Sequence, residues 1–444
     1  MRDPARIIRR YHELIARINR TDYAPIIAVE GRGAVVKDIT GKEYIDLSAS
    51  AAVMTLGYGA EEVANAVCEA VRRITHYTHM YGYVPEALEL AEELTTISPI
   101  KNAKVSYGLT GNDANEGALL LASAYTGAKG FIAFENSFHG VGAAATSVSG
   151  IGLARKVAEK VGRWGRTFFV PYPNCYRSPY PKDEWRCSKH YIEKLKETIE
   201  EHGGEVGTIV FEPILGDGGI VVPPTPYVKW LGDIARKEGL LLIDDEVQTA
   251  IGRTGKWFAI QHYGITPDLI PLGKPLGGGI PVSALIGRAD VMEALPDMAY
   301  TFTLAGNPVS CAAALAVIRT VRERGLMKRA EELGEKAMTY LRKEAGKHSL
   351  IGDVRGKGLM IGVELVKDKE SKEPAYEEAR KVVWRAYELG VIVLFVAGNV
   401  LRIQPPLTID EEVLEEGLER LLQAVTDVEE GRVTDEALKA VKGW

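Results

Sequence analysis

The sequence predicts an α/β protein: a large domain on a mostly parallel sheet, with a smaller α+β domain drawn from both chain ends. Three observations carry this. Between residues 58 and 325, short apolar runs alternate with amphipathic helical stretches, the pattern of strands covered on both faces by crossover helices. The flanking ends read differently, as a period-two hairpin before that region and mixed strands and helices after it. The chain has 444 residues, whereas a single core stops growing at roughly 250–300. The predicted divisions are 1–57, 58–325 and 326–444, with 1–57 joining 326–444 in the smaller domain.

In order, residues 4–20 show helical periodicity. Residues 31–47 alternate around Asp-Ile-Thr-Gly-Lys and read as a β-hairpin ending at Leu47. Helices are expected at 60–75, 85–97, 113–126, 189–202 and 226–238. Strands are expected at 104–108, 130–134, 207–211, 240–244, 268–272 and 282–287. A helix-rich stretch runs from 308 to 347, then strands at 358–365, 391–395 and 400–403, and a charged amphipathic helix at 409–427.

Composition narrows the function. Apolar residues make up 46% and charged residues 26%, as in ordinary globular proteins. Net charge is −6 with no long basic run, so no nucleic-acid footprint is present. The N-terminus mixes charges into its apolar positions and lacks a signal-peptide core, and no stretch of ~18 uncharged apolar residues exists. The expectation is a cytoplasmic protein with no membrane partner. Cysteines 68, 175, 187 and 311 form no CxxC pair, so no metal site is expected. Cys175 and Cys187 flank a Pro- and Tyr-rich loop and are expected to be reduced, a disulfide remaining open for a hyperthermophile source. Four Gln and nine Asn against abundant Lys, Glu and Arg lean towards a thermostable protein.

Three segments carry chemistry. Leu240-Leu-Leu-Ile243 runs directly into Asp244-Asp245-Glu246, placing acids at the end of a buried strand, where open α/β sheets bind ligands. A solvated loop is the alternative. Lys274 sits between an apolar strand and the glycine run to Gly279. An amine in apolar surroundings has a lowered pKa and becomes a usable nucleophile, and the glycines admit a bulky ligand; an ordinary loop lysine is the alternative. Gly108-Leu-Thr-Gly111-Asn112-Asp113 opens a helix, where backbone N–H groups either bind phosphate or are simply capped.

Order and spacing make these specific. Thr110-Gly-Asn-Asp-Ala-Asn-Glu116, Phe138-His139-Gly140, Phe211-Glu-Pro-Ile214, Asp245-Glu-Val-Gln248, Gly252-Arg-Thr-Gly-Lys256, Lys274, Thr303-Leu-Ala-Gly-Asn-Pro308 and Arg402-Ile-Gln-Pro-Pro406 together resemble the class III aminotransferases, fold-type I enzymes that use pyridoxal 5′-phosphate (PLP). The resemblance runs from about residue 25 to 425. It implies a fold-type I PLP transferase fold, Lys274 as the Schiff-base lysine and Asp245 as the partner of the pyridine nitrogen. It also implies Gln248 at the ring 3-oxygen, Phe138 and Val247 on the two ring faces, and backbone N–H groups of Gly111 and Asn112 on the phosphate. Thr303 would reach the cofactor of a neighbouring subunit, in a homodimer or dimer of dimers with shared sites. Arg402 would bind the substrate α-carboxylate. Glu212 falls in the cofactor-binding set, as does His139, with a structural role near the ring.

The run Gly216-Asp217-Gly218-Gly219 carries Asp where transaminases of this family carry a longer glutamate. That run, with Gly398-Asn-Val-Leu-Arg402 and a tail ending Gly443-Trp444, is most similar to isoleucine 2-epimerase and broad-substrate amino-acid racemases. The resemblance implies catalytic roles for Lys274 and Asp217, each serving one face of Cα, and a neutral, aliphatic α-amino acid as substrate. The small segment Ser48-Ala-Ser-Ala-Ala52 stands where ornithine-type relatives place a tyrosine. An aminotransferase using an oxo acid is the alternative. A nucleotide-binding protein is disfavoured, since Gly252-Arg-Thr-Gly-Lys256 lacks P-loop spacing.

Overall fold

The computed structural model describes residues 3–443. Two compact units separate: one gathers the chain up to Ala60 and from Glu332 onward, the other spans Glu61–Glu331.

The central unit is built on a seven-stranded sheet. Its order is Ala103–Gly108, Ser283–Arg288, Leu269–Leu272, Leu241–Asp244, Val206–Phe211, Gly130–Phe134 and Arg166–Val170. Ser283–Arg288 runs antiparallel to both its neighbours, while the remaining adjacent pairs are parallel. Central strands are buried along their whole length, which is why they read as apolar runs rather than alternating ones. The helix Gly111–Thr126 lays Ala118, Leu119, Leu121 and Ala122 on Phe131, Ala133, Val210, Leu241 and Ile243. Thr110 and Asp113 close a capping box at its start and Gly127, at φ +71°, ends it.

The other unit holds two four-stranded sheets. In the first, the meander Ala28–Arg32, Val35–Asp38 and Glu43–Asp46 is joined in parallel by Val391–Ile392. The second orders Ile351–Lys357, Met360–Leu365, Val400–Ile403 and Leu394–Val396, all antiparallel. Helices Tyr376–Glu388 and Glu411–Glu429 pack on each other here.

Several elements differ from the sequence expectation. The strand Arg166–Val170 and the helix Tyr376–Glu388 were not anticipated. The expected strand 358–365 is the second arm of a hairpin whose first arm, Ile351–Lys357, carries two glycines and three charges. The helix expected at 189–202 begins at Glu184, where the Asp183 side chain caps Arg186 N at 3.0 Å. That early start corrects the reading of the thiols. It swings Cys187 back over the loop, 5.6 Å from Cys175 between Cα atoms, and the two are joined in a disulfide. Cys68 and Cys311 are free. A bridge across 12 residues removes loop entropy worth about 3 kcal/mol from the unfolded chain. Cys175→Ala is therefore expected to lower the unfolding free energy by about that amount, read from urea midpoints. An unchanged midpoint would deny the bridge any such role.

Among the described residues, no helix is long and apolar enough to cross a membrane, and no group of His, Cys, Asp or Glu could hold a metal ion. Trp444, the end of the tail noted above, lies outside them.

Candidate active site

Five strands of the large sheet hand the chain to a chemically equipped segment at their C-terminal ends. Ala103–Gly108 leads to Gly111 and Asn112, Gly130–Phe134 to Phe138 and His139, and Val206–Phe211 to Glu212 and Asp217. Leu241–Asp244 leads to Asp245, Val247 and Gln248, and Leu269–Leu272 to Lys274. Open α/β sheets bind ligands along this edge.

Lys274 and Asp217 meet although 57 residues separate them (274 − 217). Lys274 Nζ lies 3.8 Å from Asp217 Oδ2, with side chains 24% and 7% exposed. The lysine is thus reachable and the acid sheltered. Asp217 stands in a tight loop that Leu215 and Val221 close with two backbone hydrogen bonds of 3.0 and 3.1 Å.

Asp245, 4% exposed, is surrounded by donors. His139 Nδ1 is 2.7 Å and Asn115 Nδ2 2.9 Å from Oδ2, and Val247 N donates to Oδ1 at 3.0 Å. Burial alone would lower the His139 pKa. The Asp245 carboxylate outweighs it and holds the imidazole above its usual range. His139 Nε2 is buried with no hydrogen-bond partner.

Glu212 uses both its oxygens on backbone: Phe138 N donates to Oε1 and Gly216 N to Oε2, each at 2.8 Å. Burial pushes its carboxyl up to about 7, with His139 opposing and Asp245 adding to the rise. Tyr172 Oη donates to the Glu212 carbonyl at 2.8 Å.

The start of helix Gly111–Thr126 is packed to the limit. A Cβ at Gly111 would lie 2.5 Å from Val247 Cγ1, and one at Gly273 2.9 Å from Gly111 Cα. The asparagine next to it is committed as well, Asn112 Oδ1 accepting from Val141 N and Gly142 N at 2.9 and 2.7 Å. The N–H groups of Gly111 and Asn112 precede any residue of their helix whose carbonyl could accept them. Gln248 is buried against Gly216, whose Cβ would fall 2.8 Å from its Nε2. Thr303 is exposed, beside Leu304 at 52%. Arg402 belongs to the other unit, on strand Val400–Ile403, and is buried.

The structure distinguishes the two adjacent aspartates. Asp244 points into the core, fully buried, where burial first and then Glu246 and Asp245 drive its pKa far up. Glu246 accepts from Ile260 N at 2.8 Å and is pushed up to about 7 by burial. Both acids have folded pKa values above their unfolded ones. Their contribution is present below pH ~4 and lost as pH rises through the folded values. Asp244→Asn should therefore raise stability at pH 8 by about 1 kcal/mol or more relative to its effect at pH 5, measured by denaturant midpoints. An equal effect at both pH values would show Asp244 ionised throughout.

Asn115 is the residue that residue-by-residue reading overlooked. It follows Gly111 by four positions, so it lies on the same helix face, and that spacing was the available signal.

The aminotransferase class-III profile matches residues 17–425. The chain belongs to this family. It is 50% identical over 440 residues to the leucine/methionine racemase of Thermococcus litoralis, covering 99% of both chains. It is 37% identical to the isoleucine 2-epimerase of Lentilactobacillus buchneri, over 99% of this chain and 98% of that one. Among solved structures, the ω-transaminase of Pseudomonas jessenii in complex with PMP superposes with a TM-score of 0.86 at 29% identity, covering 94% of each chain. The fold is that of class III transaminases.

Proposed function

We propose that this chain is a PLP-dependent racemase or epimerase that interconverts the L and D forms of neutral, aliphatic α-amino acids. The carrying observation is the approach of Asp217 to Lys274 at 3.8 Å. A transaminase needs one base to move the Cα proton. A racemase needs a second acid/base on the opposite face, a reading that a sheltered carboxyl beside the lysine supports.

The residues fit the cofactor. The start of helix Gly111–Thr126 offers backbone N–H groups to a phosphate, and Val247 packs there so closely that only glycine fits at position 111. Asp245, held by three donors, would keep a ring nitrogen protonated. Phe138 and Val247 would pack the ring faces, and Gln248 would serve its hydroxyl. When bound, PLP supplies an electron sink for the charge that develops as the Cα proton leaves.

This chain's own groups do the rest. Lys274 Nζ takes the Cα proton on one face, and the Asp217 carboxyl gives a proton to the other. For the reverse substrate the roles exchange. Asp217 must hold a proton before it can give one. Arg402 fixes the substrate carboxylate through its planar fork. Thr303, exposed at the surface of its unit, serves the cofactor of a second subunit in a homodimer. The enzyme is assigned to the cytoplasm.

The test is incubation of PLP-loaded protein with single L-amino acids in D₂O without an oxo acid. Steady formation of the D or allo isomer, carrying deuterium at Cα, over many turnovers is expected. Formation of about one oxo acid per site without D isomer would make the protein an aminotransferase.

A further inference from the structure

Asp217 is flanked by the most pliable residues a chain can have, Gly216 on one side and Gly218 and Gly219 on the other. Glycine takes either sign of φ at little cost, so such a stretch is free to sample many arrangements. A proton donor does not tolerate that freedom, because a misplacement of about 1 Å costs on the order of 100-fold in rate.

Close contacts explain two of the glycines. A Cβ at Gly216 would meet the Gln248 amide, and one at Gly218 would strike the carbonyl of Asn136, two residues before Phe138. The loop is thus wedged between its neighbours, but these contacts leave its far end to be fixed.

Ile220 lies at that end, fully buried, with φ of +50°. A β-branched residue in the left-handed region is an outlier, since its Cβ crowds the following carbonyl. The turn is nonetheless closed by hydrogen bonds. Gly219 N and Ile220 N both donate to Gly216 O at 3.1 Å, inside the Leu215–Val221 pair. Beyond Val221 the chain runs through Pro223 and Pro224, both buried, into helix Thr225–Glu238. Proline fixes φ, so this limb does not yield to relieve the turn. Strain of this kind persists only where its surroundings over-determine it, and it concentrates at functional sites.

We propose that Ile220 is a positioning residue for the second base: its buried side chain pins the left-handed end of the glycine loop and so aims Asp217 at Lys274. This rests on the reading of Asp217 as the acid/base of the face opposite the lysine. Glycines let the loop fit between its neighbours, and one strained isoleucine removes the freedom that they bring.

The test uses PLP-loaded enzyme and L-leucine in D₂O. The rate of D-leucine formation is divided by the rate at which deuterium enters the remaining L-leucine. Wild type, Ile220→Ala, Ile220→Gly and Asp217→Asn are compared, with melting temperature and cofactor absorbance recorded for each. Ile220→Ala should lower the ratio about tenfold or more, because the unpinned loop returns to negative φ and carries Asp217 away while Lys274 still exchanges its face. Ile220→Gly should keep a higher ratio than Ile220→Ala, although it removes more apolar surface, because glycine holds positive φ without a pin. A merely structural Ile220 would lower both rates together, and glycine would do no better than alanine. The ratio is internal, so a variant that folds only in part still reports it. An unchanged ratio in Ile220→Ala, or a glycine variant no better than the alanine one, overturns the proposal alone if Asp217→Asn lowers the ratio. An unchanged ratio in Asp217→Asn removes the second base and the proposal with it.

Discussion

Asp217→Asn is expected to racemise its best substrate about 10²–10⁴-fold more slowly than the wild type, the usual contribution of a positioned acid/base. Asparagine keeps the shape and much of the hydrogen bonding in the Leu215–Val221 loop but has no proton to give. Lys274 is untouched, so the Cα hydrogen should still exchange with solvent on the lysine face. In D₂O the variant should slowly convert L substrate into deuterated L substrate, with little D isomer. Cofactor absorbance should be retained, because Asp217 Oδ2 faces the lysine amine rather than the helix start at Gly111. A merely gating or carboxylate-pairing Asp217 would leave racemisation and exchange changed in step, and that result would remove the second base.

Glu212→Gln should cost nearly as much, about 10²-fold in kcat, from a residue that need not touch substrate. Its two oxygens each take a backbone N–H, one from the loop carrying Phe138 and one from the loop carrying Asp217. Glutamine has one acceptor oxygen. Its amide would face the other N–H donor to donor, and one loop would shift. Protonation weakens the same clamp. With the Glu212 carboxyl at about 7, and His139 and Asp245 the charged groups bearing on it, the wild-type rate should fall as pH drops through that value. The variant should lose that acid limb. An acid limb unchanged in Glu212→Gln would assign it to another group.

The legible parts of this chain are those where burial is uniform. Leu269–Leu272 and Leu241–Asp244 are buried at every residue and stood out as apolar runs. Arg166–Val170 lies at the sheet edge, begins on an exposed arginine and is only partly buried, so its signal was diluted. Tyr376–Glu388 buries Ala379, Val382, Val383 and Ala386 among charges, a narrow stripe that a quick reading passes over. At the site, Lys274 and the Asp244-Asp245 pair were visible from their place after strands. The choice between the two aspartates came from resemblance alone. The structure adds a physical reason: Asp245 faces three donors while Asp244 faces the core. The meeting of Lys274 with Asp217 depends on the loops that follow Val206–Phe211 and Leu269–Leu272, the two strands flanking Leu241–Asp244, and no local pattern encodes it. The Cys175–Cys187 bond depended on a helix start displaced by five residues (189 − 184).

The division of the chain has an evolutionary consequence. On the roles proposed here, the proton-transfer residues lie in one uninterrupted stretch, Glu61–Glu331, and the carboxylate partner Arg402 lies outside it. The two sets of residues can then vary under separate selection. Recombination between relatives would be productive when both ends travel together, since Val391–Ile392 is stitched to Glu43–Asp46 and Gln404 to Leu47. A chimera inheriting only one end would lose those pairings. A protein engineer recombining relatives would therefore exchange the ends as a set.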